Sequence, residues 1–190
     1  MKQRCAWVGD HPLMRKYHDT EWGVPLHHDH KLFEFLILEG FQAGLSWSTI
    51  LYKREAFRRA FDDFDPDKIA RYDESKIEDL ICDKGIVRNH LKIRAVIQNA
   101  RCLLNVREEF LTFDAYIWQF VDHAPITNAF TKIEEIPLYT EVSSAMSRDL
   151  KRRGFTFVGP TICYSFMQAV GMVNDHTVNC FRYEEVQVNR

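Results

Sequence analysis

A carboxylate stands at the end of an apolar helix-like run, where it should be expensive. The run is Leu32, Phe33, Phe35, Leu36, Ile37 and Leu38, interrupted by Glu34, and it leads into Glu39-Gly40. Such a pattern predicts a helix buried on most sides, with Glu34 supplying its polar face. Glu39 must then be paired, protonated or used. Gly40 and Gly44 permit sharp turns and close backbone approach, and Leu45 and Trp47 offer a wedge and a flat aromatic wall. The plainer reading is a helix end of the common glycine type, with Glu39 paired to an arginine elsewhere.

A second group is spread over both ends of the chain. Cys5 and His18 lie near one terminus, and His176 and Cys180 lie near the other at a spacing of four, which puts that pair on one side of a helical turn. Two thiolates and two imidazoles can close a tetrahedral zinc site with no position left for water, and such a site would add metal binding to the folding free energy. Spacing alone equally allows a free thiol and a surface histidine, because no local finger pattern is present. Cys82, Cys102 and Cys163 fall in helical segments and are expected to be buried as apolar residues. His27, His28 and His30 could cluster on a metal, but a solvated loop is the simpler expectation.

The third group is the Gly154-Phe155-Thr156-Phe157-Val158-Gly159 connection between two helices, preceded by Lys151, Arg152 and Arg153. Main-chain N–H groups beside a helix N-terminus favour an anion. A grip on a nucleic-acid backbone that ignores sequence and an ordinary helical hairpin with a solvated basic face both fit.

The elements that must hold these groups are helices. The pattern predicts helices near 12–20, from about 32 to 39, and over 46–61. A short one is capped by Asp65, and another runs from Asp73 or Ser75 to near Gly85. Further helices are expected over 89–104, 113–121, 143–153 and 161–170. Residues 122–142 look loop-like, the end beyond Tyr183 looks frayed, and no strand pairing, repeat or low-complexity segment is evident. The class is all-α. A chain of 190 residues with 46% hydrophobic and 27% charged residues suits one domain, or two fused lobes. No run is long enough to cross a bilayer, and the N-terminus has no signal-like apolar core. The odd cysteine number argues against a disulfide framework. A cytoplasmic protein is expected. The net charge of -2 neither advertises nor excludes a nucleic-acid partner.

Three segments match one pattern. They are Cys5-Ala6-Trp7 with Tyr17-His18-Asp19-Thr20-Glu21-Trp22-Gly23-Val24-Pro25; Leu38-Glu39-Gly40 with Gln42-Ala43-Gly44-Leu45-Ser46-Trp47; and Arg153-Gly154-Phe155 through Val158-Gly159, Thr161-Ile162-Cys163-Tyr164-Ser165-Phe166-Met167-Gln168-Ala169 and Val173-Asn174-Asp175-His176. Together they resemble the DNA-3-methyladenine glycosylase I family of bacterial repair enzymes, over nearly the whole chain.

The resemblance implies an all-α helix-hairpin-helix glycosylase fold occupying 1–190. Two helical lobes would flank a base pocket, with the hairpin at about 143–170. It implies one structural zinc on Cys5, His18, His176 and Cys180, which ties the two ends together. Glu39 corresponds to the base-reading catalytic carboxylate, and Tyr17, Trp47 and Trp7 to aromatic pocket residues. Gly44 and Leu45 match the loop that fills the gap left by a flipped nucleotide, and Gly154, Gly159 and Thr161 fall in the DNA-gripping hairpin. The partner would be double-stranded DNA carrying alkylated bases, and a monomer is expected. The reaction implied is hydrolytic removal of N3-methyladenine; no lysine follows Gly159 to form a Schiff base, so no strand cleavage is expected. Met14 departs from the aromatic residue expected in the pocket region, and Asp175 is expected to be structural. Two other readings use the same residues: a zinc-clasped DNA-binding module without catalysis, and a zinc hydrolase, which a four-ligand site disfavours.

Overall fold

A computed structural model describes residues 2–188. In chain order the helices are α1 (Pro12–Thr20), α2 (Asp29–Gln42), α3 (Trp47–Ala60), α4 (Pro66–Ile69), α5 (Glu74–Cys82), α6 (His90–Phe110), α7 (Phe113–Trp118), α8 (Glu141–Arg152), α9 (Pro160–Ala169) and α10 (Arg182–Val188). Short polar residues begin most of them by accepting orphan N–H groups. Ser46 accepts from Thr49, Asp65 from Asp67 and Lys68, Asp73 from Lys76, Asn89 from Lys92, and Thr112 from Ala115. Thr140 and Ser143 form a reciprocal capping box, which starts α8 at Glu141 rather than at Ser143. The long helix α6 runs on to Phe110, beyond the expected end near Leu104, and stops where Leu111 turns left-handed.

The centre of the molecule is α2. It packs against α3, α6, α7 and α9, and residues 32–41 are all buried. Glu34 is therefore not a polar face. It is 1% exposed and is held by Lys31 Nζ at 2.9 Å and Arg58 Nε at 2.8 Å. Asp29, at the start of α2, accepts the N–H groups of Phe113 and Asp114, both at 2.9 Å, so one carboxylate fixes α2 against the first turn of α7.

Two further expectations need correction. A two-residue parallel pairing joins Ile126 to Val173 and Thr127 to Asn174; runs this short carry no period that a sequence can reveal. The tail expected to fray beyond Tyr183 forms α10 as far as Val188, because Val186 is buried and Asn174 Nδ2 donates to Tyr183 O at 3.0 Å. Residues 189–190 lie outside the described residues. Among the described residues, no helix is long and apolar enough to cross a membrane.

The crossing that brings α9 back to the N-terminal segment depends on Gly171. Its φ is +72°, and a Cβ there would lie 2.3 Å from the carbonyl carbon of Val24. Gly171→Ala should destabilise the protein by roughly 2–4 kcal/mol, combining left-handed strain with a backbone clash. Denaturant unfolding should show a lowered midpoint with an unchanged slope.

Candidate active site and metal centre

Glu39 lies in the last turn of α2 and is 4% exposed. Its Oε2 is fully buried with no hydrogen-bond partner. The arginines of the adjoining helix α3 pair with other carboxylates. Arg54 holds Glu21 through two hydrogen bonds of 2.5 and 2.8 Å, and Arg58 holds Glu34. The plain pairing of Glu39 with an arginine is thus not what the fold does. Burial alone pushes its carboxyl up to about 8.

The carboxylate faces a cavity of about 410 Å³. Trp7, Tyr17 and Trp47, the three aromatics singled out in the sequence, all line it. The Tyr17 and Trp47 rings are 5.2 Å apart at 43°, and Trp7 stands edge-on to Trp22 at 5.0 Å. The indole Nε1 of Trp47 is the second buried polar atom of this cavity without a partner. Burial first, and the nearby Glu39 charge second, hold the Tyr17 phenol well above its ordinary value, so it stays neutral. Met14 also lines the cavity, leaving a flexible thioether where an aromatic residue was expected.

Sequence reasoning missed part of the lining. Trp22, Ser165 and Gln168 lie within the matched strings but had no role assigned, and Gln42 and Ser46 flank the central turn. Ile133 and Ile136 come from the loop over 122–142 and close one wall. No sequence signal marks them, since that loop reaches the site through contacts distant in sequence: the pairing of Ile126 and Thr127 with Val173 and Asn174, Asn128 donating to Asp175, and the Phe130 carbonyl accepting from Val178 N.

Between α2 and α3 the chain makes a tight turn. Leu45 N donates to Gln42 O at 2.7 Å, and Gly44 adopts φ +81° with open space around it. Leu45 is left 42% exposed beside the cavity residues Ser46 and Trp47, an apolar side chain presented to solvent. The second connection, residues 153–159 between α8 and α9, is less basic in effect than its sequence. Arg153 is held by Glu109 and Asp149, and Arg152 by Asp149, so Lys151 alone of the three makes no salt bridge. Gly159 begins α9 with open space where a Cβ would stand and no side-chain cap, and Thr161 is exposed in the first turn. That helix end can receive an anion.

The four separated ligand residues meet. Cys5, His18, His176 and Cys180 are all buried, and their ligand atoms lie within 4.8 Å of one another. A tetrahedral ion with sulfur and nitrogen ligands at ordinary distances has ligand-to-ligand edges of roughly 3.3–3.8 Å. Three of the four sulfur–nitrogen edges here are 3.4, 3.5 and 3.6 Å. The outer faces of both imidazoles are also fixed: His18 Nδ1 meets Asp19 Oδ1 at 2.8 Å, and His176 Nε2 meets the carbonyl of Trp22 at 3.0 Å. Such partners select the tautomer that turns the other nitrogen inward. Arg4 in turn grips Asp19. The Cys5 thiol, with His176 and His18 behind it, holds Cys180 well below its usual value despite its burial, while the Cys180 sulfur and burial hold Cys5 well above its own. The four ligand atoms converge on one point, where a cation fits.

Among the described residues, His27, His28 and His30 do not join a metal-holding group. His27 Nδ1 meets Asp114 at 2.8 Å and its ring stacks on Trp118, while His28 and His30 touch only edge to face. Cys102 and Cys163 are buried as expected, but Cys82, at the C-terminal turn of α5, is exposed. Asp175 is 1% exposed and accepts from Tyr164 Oη, Gln168 Nε2 and Asn128 Nδ2 at 2.7, 2.8 and 2.7 Å; its oxygens serve the packing.

A family model described as methyladenine glycosylase matches residues 7–183. DNA-3-methyladenine glycosylase 1 of Escherichia coli K12 is 51% identical over 181 residues, covering 95% of this chain and 97% of that protein. A crystal structure of 3-methyladenine DNA glycosylase I superimposes with a TM-score of 0.92 at 50% identity, over 94% of this chain and 98% of the other. The Staphylococcus aureus 3-methyladenine DNA glycosylase I, whose structure concerns recognition of 3-methyladenine, gives 0.91 at 34% identity over 94% and 95%. Sequence and architecture agree along almost the full length, and the chain belongs to the methyladenine glycosylase family.

Proposed function

We propose that this protein excises N3-methyladenine from alkylated double-stranded DNA by hydrolysing its N-glycosidic bond, leaving an abasic site for base-excision repair. The observation that carries this reading is a carboxylate buried without a partner at the end of an aromatic cavity. The resemblance of the whole chain to named glycosylases supports it. A duplex base must rotate out of the stack before a cavity can read its edge. N3-methylated adenine is cationic while still joined to the sugar. Trp47 and Tyr17, with Trp7 beside them, attract a cation over their faces by roughly 0.5–2 kcal/mol. An entering cation favours loss of the Glu39 proton, and the ionised carboxylate accepts hydrogen bonds from the exocyclic amine and ring edge. Normal adenine is neutral and gains less from either contact. The departing base needs no strong acid, because it leaves as a neutral molecule when water attacks the sugar carbon.

The remaining assignments follow from the same reading. Leu45, on its Gly44 turn, fills the space vacated by the flipped nucleotide. Residues 153–159 with α8 and α9 form a helix-hairpin-helix grip, in which Gly154, Gly159 and Thr161 approach the phosphate backbone. Pro160 follows Gly159, so no amine stands there to cleave the strand. The cation of the clasp is zinc, one per chain, because two sulfurs and two nitrogens in a closed tetrahedral arrangement suit it. Bound there it supplies cross-linking of the termini, and Cys5, His18, His176 and Cys180 would hold it. The enzyme acts as a monomeric glycosylase domain of two lobes, spanning 1–190, in the bacterial cytoplasm.

Incubation with methylated DNA should release free 3-methyladenine, identified by mass; release of no base would overturn the function. Glu39→Gln should lower kcat/KM by about a hundredfold near pH 8.5. For the native enzyme kcat/KM should rise with pH and level off above about 8, the value at which free Glu39 ionises, whereas the variant should be flat. Cys180→Ser should lower both the melting temperature and the zinc content measured by elemental analysis. Metal retained at one per chain would contradict the clasp.

A further inference from the structure

Two segments given DNA-contacting roles above, the Leu45 turn and the hairpin loop, are far apart in sequence but rest on one face of α6. Lys92 projects from that face and is 8% exposed. Its ammonium donates to the carbonyls of Phe41 at 2.9 Å, in the last turn of α2, and Ala43 at 2.6 Å, the residue that ends the helix. Burying an ammonium is costly, and desolvation lowers the Lys92 pKa accordingly. Simple capping of a helix end does not need a lysine brought from another helix. Seven residues on, two turns along the same face, Asn99 clamps the hairpin loop. Its Nδ2 donates to Thr156 O at 3.0 Å and its Oδ1 accepts from Thr156 N at 2.8 Å. The ring of Phe157 lies between the two anchors, 5.9 Å from the Lys92 nitrogen. A Cβ on Gly40 would meet Phe157 at 3.4 Å, so α2, the loop and α6 are in close contact.

We infer that this face of α6 is a brace that sets the wedge turn and the hairpin loop at a fixed separation for the duplex, with Lys92 and Asn99 as positioning residues. The inference rests on the wedge role of Leu45. Neither side chain lines the base cavity, so the brace acts on engagement of DNA and leaves recognition of the free base intact. Lys92 fixes where the turn leaves α2, and Asn99 fixes where the loop presents its backbone. A wedge displaced by about an ångström can cost on the order of a hundredfold in rate.

The test uses the full chain, with free 3-methyladenine and a duplex carrying one N3-methyladenine as probes. Lys92→Met and Asn99→Ala should each bind the free base, read by tryptophan quenching, as the native protein does. Each should lose about tenfold or more in kcat/KM on the duplex, and Lys92→Arg should recover part of the loss. In a Leu45→Ala background the Lys92→Met loss should disappear, because the residue acts through that side chain. If Lys92→Met does not fold, Lys92→Gln is read in the same cycle. Losses that add in full in the double variant, or a parallel loss of free-base binding, overturn the brace. A silent Leu45→Ala in the native background removes the wedge role itself, and the brace with it.

Discussion

The structure depends on keeping one carboxyl group dry and unpartnered. Burial raises Glu39 to about 8 from an ordinary 4.5, so the folded state holds its proton more tightly than the unfolded chain. The stability this proton confers is fully present below about 4.5 and is lost as pH rises through about 8. Above that range the ionised group costs roughly 3–5 kcal/mol, a large share of a typical domain's net stability. The fold sets against this a helix packed on every side. Arg54 and Arg58 on α3 are themselves committed, Arg54 to Glu21 and Arg58 to Glu34. A single free arginine beside Glu39 would relieve the strain and remove the attraction for a cationic base.

The cavity walls are fixed by the same economy of structure. His18 follows Tyr17 on α1, Trp7 lies two residues after Cys5, and the carbonyl of Trp22 receives the ring of His176. Three aromatic walls therefore hang on the cluster of residues that could hold a metal, and an ion at that centre would stiffen the cavity as well as join the termini. The fourth wall, Ile133 and Ile136, is tied to the segment that carries His176, because Asn128 donates to Asp175 and Val178 donates to Phe130.

Much of this was legible in the residues, and the reasons differ from place to place. The helix over α2 was visible as a long apolar run, but its terminal Glu39 fitted a pairing with an arginine as readily as isolation, and only the resemblance favoured the latter. The cap at Asp65 was equally visible; for the next helix Asp73 and Ser75 both fitted, and the fold uses Asp73. The clasp was not fixed by spacing, since its halves are 158 residues apart between His18 and His176 and only the fold joins them; the resemblance supplied that pairing. Glu34 misled because a buried ion pair with Lys31 and Arg58 looks, in one dimension, like a solvated face. Arg152 and Arg153 misled for the converse reason: Asp149 and Glu109 neutralise them in space. Ile133 and Ile136 were invisible, because a loop without period reveals nothing of what it packs against.

The ionisation of Glu39 itself is the most direct measurement. Labelled at its side-chain carbonyl carbon and followed by NMR, the group should titrate near pH 8 in the free protein. Its midpoint should fall by a unit or more when a cationic N3-methylated adenine nucleoside fills the cavity. A midpoint near 4.5 that no such ligand moves would contradict the account.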